Sequence, residues 1–100
     1  MLNRQAVGPA IAFFAEIALK DQRKAASRRF EARMLATPQV VACYLLSGRY
    51  DYLVRLACTD LAQYQRLTNG WLEDAALGIE KIVTNTELQT VKEFGGFPLA

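Results

Sequence analysis

Residues 40–58 read VVACYLLSGRYDYLVRLAC, and the fold turns on how this stretch is cut. Two runs rich in Val, Leu, Tyr and Cys flank Gly48-Arg49. So short a link between β-rich runs is a hairpin signal. The reading is therefore a strand over Val40–Ser47 and another over Tyr50–Cys58. With Gly48 and Arg49 as a two-residue turn, Ser47 opposes Tyr50 and Cys43 opposes Val54. Val41, Cys43, Leu45, Tyr52, Val54, Leu56 and Cys58 then share a face apolar enough to lie beneath helices. Val40, Ala42, Tyr44, Leu46, Leu53 and Ala57 point the other way.

Upstream, Ala10–Leu19 is an apolar run between Gly8-Pro9 and Lys20-Asp21, and reads as the first strand. Ile11, Phe13, Ile17 and Leu19 make one face; Ala10, Ala12, Phe14 and Ala18 make the other, broken only by Glu16. Gln22–Ala36 reads as a helix with Ala26, Phe30 and Met34 buried at four-residue spacing, ended by Thr37-Pro38. Asp60, with Gln63 three residues on, opens a second helix carrying Leu61, Tyr64, Leu67, Trp71 and Leu72, in which Asn69-Gly70 is a point of fraying. Gly78 caps its end, and Ile79–Glu93 contains the fourth strand. Residues 1–9 are linker-like, and residues 10–100 form one domain.

The order β-α-β-β-α-β points to an α+β, ferredoxin-like fold: an antiparallel four-stranded sheet with both helices on one side. Its other face is too apolar for water, and 100 residues leave no spare segment to cover it. The same face of a second copy is the natural cover, giving a homodimer of packed sheets. Phe14, Val40, Ala42, Tyr44, Leu46 and Leu53 are the expected interface.

Composition narrows the function. A net charge of +2 is too mild to demand nucleic acid. The basic stretch Lys20, Arg23, Lys24, Arg28, Arg29, Arg33 reads as a solvated helix face, and no sequence-specific DNA binding is expected. No apolar run spans a membrane and no signal peptide is evident, so a cytoplasmic location is expected. With no histidine and only Cys43 and Cys58, both read as buried free thiols, neither a metal site nor a cofactor is expected. The chain does not read as an enzyme.

The string Pro38-Gln39-Val40-Val41-Ala42-Cys43-Tyr44, then Ser47-Gly48-Arg49-Tyr50-Asp51-Tyr52-Leu53, resembles the effector domain of the Lrp/AsnC family of transcriptional regulators. The resemblance continues through Thr84-Asn85-Thr86-Glu87-Leu88 and a Pro98-Leu99 ending, with Leu2–Gly8 similar to the linker after the DNA-binding domain. No helix-turn-helix lies within the 100 residues, as in a stand-alone or an excised effector domain. The resemblance implies a dimeric α/β barrel, often assembled into rings of four dimers (an octamer), that binds small effectors, usually amino acids. It also implies mixed assembly with full-length family members.

Carried onto this chain, the implied ligand-binding positions are Gly48, Arg49, Tyr50 and Asp51 of the hairpin, with Thr84 and Thr86. Physically, Asp51 suits an ammonium, N–H groups near Gly48 suit a carboxylate, and the two hydroxyls suit either. Leu46 or Tyr50 would touch the ligand's side chain. On this reading Asp51→Ala keeps the fold and loses the ligand response. The alternatives are a dimerisation domain with no ligand, or a small dimeric barrel enzyme.

Overall fold

In the computed structural model, residues 10–98 are described; the linker-like residues 1–9, and Leu99 of the Pro98-Leu99 ending, lie outside them. Strand β1 covers Ile11–Leu19, α1 Lys24–Ala36, β2 Val40–Leu45, β3 Tyr52–Cys58, α2 Leu61–Glu73 and β4 Ile79–Thr86. A 3₁₀ turn, Ala75–Leu77, joins α2 to β4. The sheet is antiparallel in the order β2-β3-β1-β4, which is the expected ferredoxin-like arrangement.

The core lies between this sheet and the helices. Phe13, Ala15, Ile17 and Leu19 of β1 alternate inward beside Tyr52, Val54, Leu56 and Cys58 of β3. Period-two alternation forces this, since successive strand side chains leave by opposite faces. Helix α1 buries Ala26, Phe30 and Met34 as expected. Helix α2 buries Tyr64, Thr68 and Trp71, a narrower stripe than expected: Leu61 and Leu72 stay exposed at its flank. Gly70 interrupts nothing, and α2 runs on to Glu73. The box at its start forms, with Gln63 N–H donating to Asp60 Oδ1 and Thr59 N–H to Gln63 Oε1, each at 2.8 Å. Gly78 adopts the left-handed conformation (φ 61°) that closes the turn into β4.

The hairpin keeps the expected register, with Cys43 opposite Val54 and Leu45 opposite Tyr52. Its connection is wider than a two-residue turn. The last link is Leu46 N–H to the Asp51 carbonyl, and residues 47–50 bend over the end of the sheet. Further down, an irregularity between Val40 and Ala42 shifts the pairing by one. That shift turns Val40 toward Leu56 and the core, and so off the helix-free face where it was expected.

Edge position changes three more expectations. Strand β2 is outermost, so Val41, Cys43 and Leu45, although on the helix side, stay exposed at the rim of α1. Cys43 is therefore not a buried thiol, whereas Cys58 is. The basic stretch is a solvated face as expected, with Lys20, Arg23, Lys24, Arg28 and Arg29 exposed. Three of its side chains also find local partners: Arg23 pairs with Asp21, Arg29 donates to the Ala76 carbonyl, and Arg33 pairs with Asp74.

The helix-free face presents Ala12, Phe14 and Ala18 of β1 with Ala42 and Tyr44 of β2 and Leu53 and Ala57 of β3. Three strand charges enter it, Glu16, Arg55 and, from β4, Lys81. Arg55 lies 5.6 Å from the centre of the Phe14 ring and pairs with Glu87 at 2.9 Å. Beyond Glu87 the chain leaves the sheet, and Leu88, Val91, Phe94 and Phe97 are each at least 75% exposed.

Candidate functional site

The hairpin loop is fastened to β1 by one residue. Asp51 N–H donates to the Ile17 carbonyl at 3.0 Å, and Leu19 N–H donates to Asp51 Oδ2 at 2.8 Å. The carboxylate continues the β1–β3 ladder beyond its last pair, Ile17 with Tyr52. In this chain Asp51 thus holds a backbone donor of the sheet. Gly48 sits at φ 148° with open space where a Cβ would lie, so its conformation and not crowding favours glycine.

Fastened in this way, the loop swings Arg49 and Tyr50 over the helix-free face. There they enclose a cavity of about 440 Å³ with Glu16 and Ala18 of β1 and Lys81, Val83 and Asn85 of β4. The strand residues meet because Glu16 pairs with Val83 and Ala18 with Lys81, all on one face. Glu16 Oε2 accepts from Asn85 Nδ2 at 3.1 Å, and Glu16 Oε1 faces Arg49 Nη2 at 4.0 Å. The cavity thus carries one carboxylate and two cations beside the apolar walls of Ala18 and Val83.

The structure divides the expected site. Arg49 and Tyr50 join β4, but through Lys81, Val83 and Asn85. Thr84 has the opposite parity: its hydroxyl is hydrogen-bonded to the Tyr64 hydroxyl at 2.6 Å, in a cavity of about 270 Å³ beside α2. Thr86 pairs with Phe13 on that same side. Leu46 ends the hairpin, exposed. Glu16, Lys81 and Asn85 were missed, although one signal was legible: a lone carboxylate breaking an apolar strand face.

A second concavity, about 440 Å³, runs between α1 and the open edge of β2, lined by Met34, Leu35, Val41, Cys43 and Leu45, with Glu31 at its side. Tyr52 donates its hydroxyl proton to Glu31. Burial, and then that bond, push the tyrosine up to about 12. Although Cys43 is exposed at the rim, partial desolvation of its thiol in this groove, with the Glu31 carboxylate adding, lifts it to about 11. The thiol is thus protonated and a poor nucleophile at neutral pH. Among the described residues, no group of three or more His, Cys, Asp or Glu side chains is placed to hold a metal ion. No helix there is long and apolar enough to cross a membrane.

Residues 12–97 match the family model of the Lrp/AsnC ligand binding domain. The chain belongs to the Lrp/AsnC family. It is 39% identical over 77 residues to the transcriptional regulatory protein DoeX of Halomonas elongata, covering 77% of this chain and 48% of DoeX. This Lrp/AsnC domain thus spans about half the length of that regulator. An AsnC family transcriptional regulator from Agrobacterium tumefaciens shares the fold at a TM-score of 0.80 and 23% identity, over 98% of this chain and 63% of its own. A Neisseria meningitidis regulator, solved in complex with L-methionine, does so at 0.77 and 21% identity, over 98% and 62%. The chain is a ligand-binding domain of the transcriptional-regulator kind, with the ferredoxin-like fold of its relatives.

Proposed function

We propose that this domain binds a free amino acid at the hairpin and couples that binding to self-association, acting as the effector module of a regulator and not as an enzyme. The observation that carries the reading is the two-signed cavity. A loop pinned by Asp51 brings Arg49 and Tyr50 against Glu16, Lys81 and Asn85, which suits a small ligand bearing both charges. The L-methionine complex of the Neisseria relative supports the ligand class. The absence of histidine and the raised Cys43 thiol favour binding over catalysis.

Self-association is proposed through the helix-free face, with Phe14, Ala42, Tyr44 and Leu53 at its centre and Leu46 at its rim. An apolar sheet face, together with the exposed tail residues Leu88, Val91, Phe94 and Phe97, favours a homodimer as the unit. Dimers would assemble further, as far as an octamer, or mix with full-length family members in the cytoplasm. The domain by itself would read no DNA sequence. A ligand placed beside the interface shifts assembly by its differential affinity for the two states.

Native mass spectrometry with and without a pool of the twenty amino acids tests both halves. A dimer or multiple of it that retains an amino acid is expected. A monomer at every concentration removes the self-association, and an assembly that never retains an amino acid removes the effector role.

A further inference from the structure

We propose that Glu16, Arg49 and Lys81 form a clamp for the head group of an α-amino acid whose side chain is uncharged, Glu16 taking the ammonium and the two cations the carboxylate. The proposal rests on the amino-acid reading above and names the groups that do the recognising.

Glu16 is the one carboxylate among the residues lining the hairpin cavity. Its side chain is only 20% exposed, recessed in a strand face that is otherwise mostly apolar. Such a position costs free energy unless the charge is paired. The pairing is loose. Asn85 occupies Oε2, while Oε1 faces a guanidinium 4.0 Å away on a side chain that is 85% exposed. The other three ion pairs among the described residues close to 2.5–2.9 Å. Oε1 therefore has room for a closer cation, and Arg49 is free to turn away.

The placement of the charges fits the same occupant. The cavity sets one anion and two cations on a shared wall. An ammonium on Glu16 and a carboxylate between Arg49 and Lys81 would give each end of the ligand a partner of opposite sign, and a guanidinium is the group best shaped for a carboxylate. A volume of about 440 Å³ lies within the range of small-molecule sites, about 300–1,000 Å³. Ala18, Val83 and the Tyr50 ring remain for the ligand's side chain, and they offer it no further charge. Asp51 is not among the lining residues, and its Oδ2 is already engaged by Leu19 N–H.

The test is calorimetric titration of the intact chain with each of the twenty amino acids. Each one that binds is followed by the 2-hydroxy acid and the carboxamide bearing the same side chain. Glu16→Gln keeps an acceptor for Asn85, so the cavity's shape survives. It is expected to weaken the amino acid by at least about tenfold and the hydroxy acid by less than about twofold. Arg49→Gln is expected to weaken the amino acid and the hydroxy acid together while sparing the carboxamide. If Glu16→Gln binds the amino acid as tightly as the parent chain, or weakens it and the hydroxy acid equally, the clamp is wrong while the amino-acid reading stands. If no amino acid binds the parent chain, both fall.

Discussion

Removing the Asp51 side chain separates a structural role from a binding one. In Asp51→Ala the Leu19 N–H loses its acceptor at 2.8 Å, on a residue that is 3% exposed at the end of β1. Leaving such a donor unsatisfied costs about 1–3 kcal/mol. Because the bond is only part-buried, water can recover some of that, so the lower half, about 1–2 kcal/mol, is expected. For a domain of this size that is a melting-temperature drop of roughly 5–15 °C, or a fall of about 1 M in the urea midpoint. Protein concentration must be held fixed, since an associating chain unfolds in a concentration-dependent way. The control is Asp51→Asn, whose amide oxygen still accepts from Leu19 and which should stay near the parent's stability. If Asp51→Ala unfolds within roughly 0.2 M of the parent, the bond holds nothing, and the account of how Arg49 and Tyr50 are positioned collapses. If Asp51→Asn keeps its stability but loses the amino-acid response, the carboxylate is a direct ligand group after all.

Three further outcomes are expected. Tyr44→Asp places a charge on an exposed position of the helix-free face, so light scattering after size exclusion should show a shift toward monomer with the circular dichroism unchanged. Asp60→Ala removes the acceptor of Gln63 N–H and should cost about 1 kcal/mol in urea unfolding. Tyr52 keeps its proton in the folded chain up to about 12, against 10.0 for the free side chain. Its stabilising contribution is therefore complete below pH 10 and disappears as pH climbs toward 12, because the unfolded chain ionises first. An ultraviolet titration should find Tyr52 and Tyr64 ionising above the ordinary tyrosine range, and Tyr52→Phe should flatten the stability loss between those pH values.

The order of elements and the hairpin register were legible in the residues themselves. Period-two alternation in β1 and β3, four-residue spacing in α1 and the Asp60–Gln63 cap are local signals, and each depends only on neighbours in the chain. So were the family and the apolar second face of the sheet. The candidate site was legible only in part. Gly48, Arg49 and Tyr50 stand together in the chain, whereas their partners Glu16, Lys81 and Asn85 lie more than thirty residues away on either side.

Which residue of a strand meets which loop is a matter of parity, and parity is settled by register across the sheet. One irregularity between Val40 and Ala42 turned a surface residue inward, and the even-numbered Thr84 and Thr86 went to the helices while Lys81, Val83 and Asn85 went to the loop. Nothing in the local sequence marks such a slip, because either face of a strand costs the backbone the same. Only the packed sheet, with β1 lying between β3 and β4, decides which carboxylate the hairpin finds beneath it.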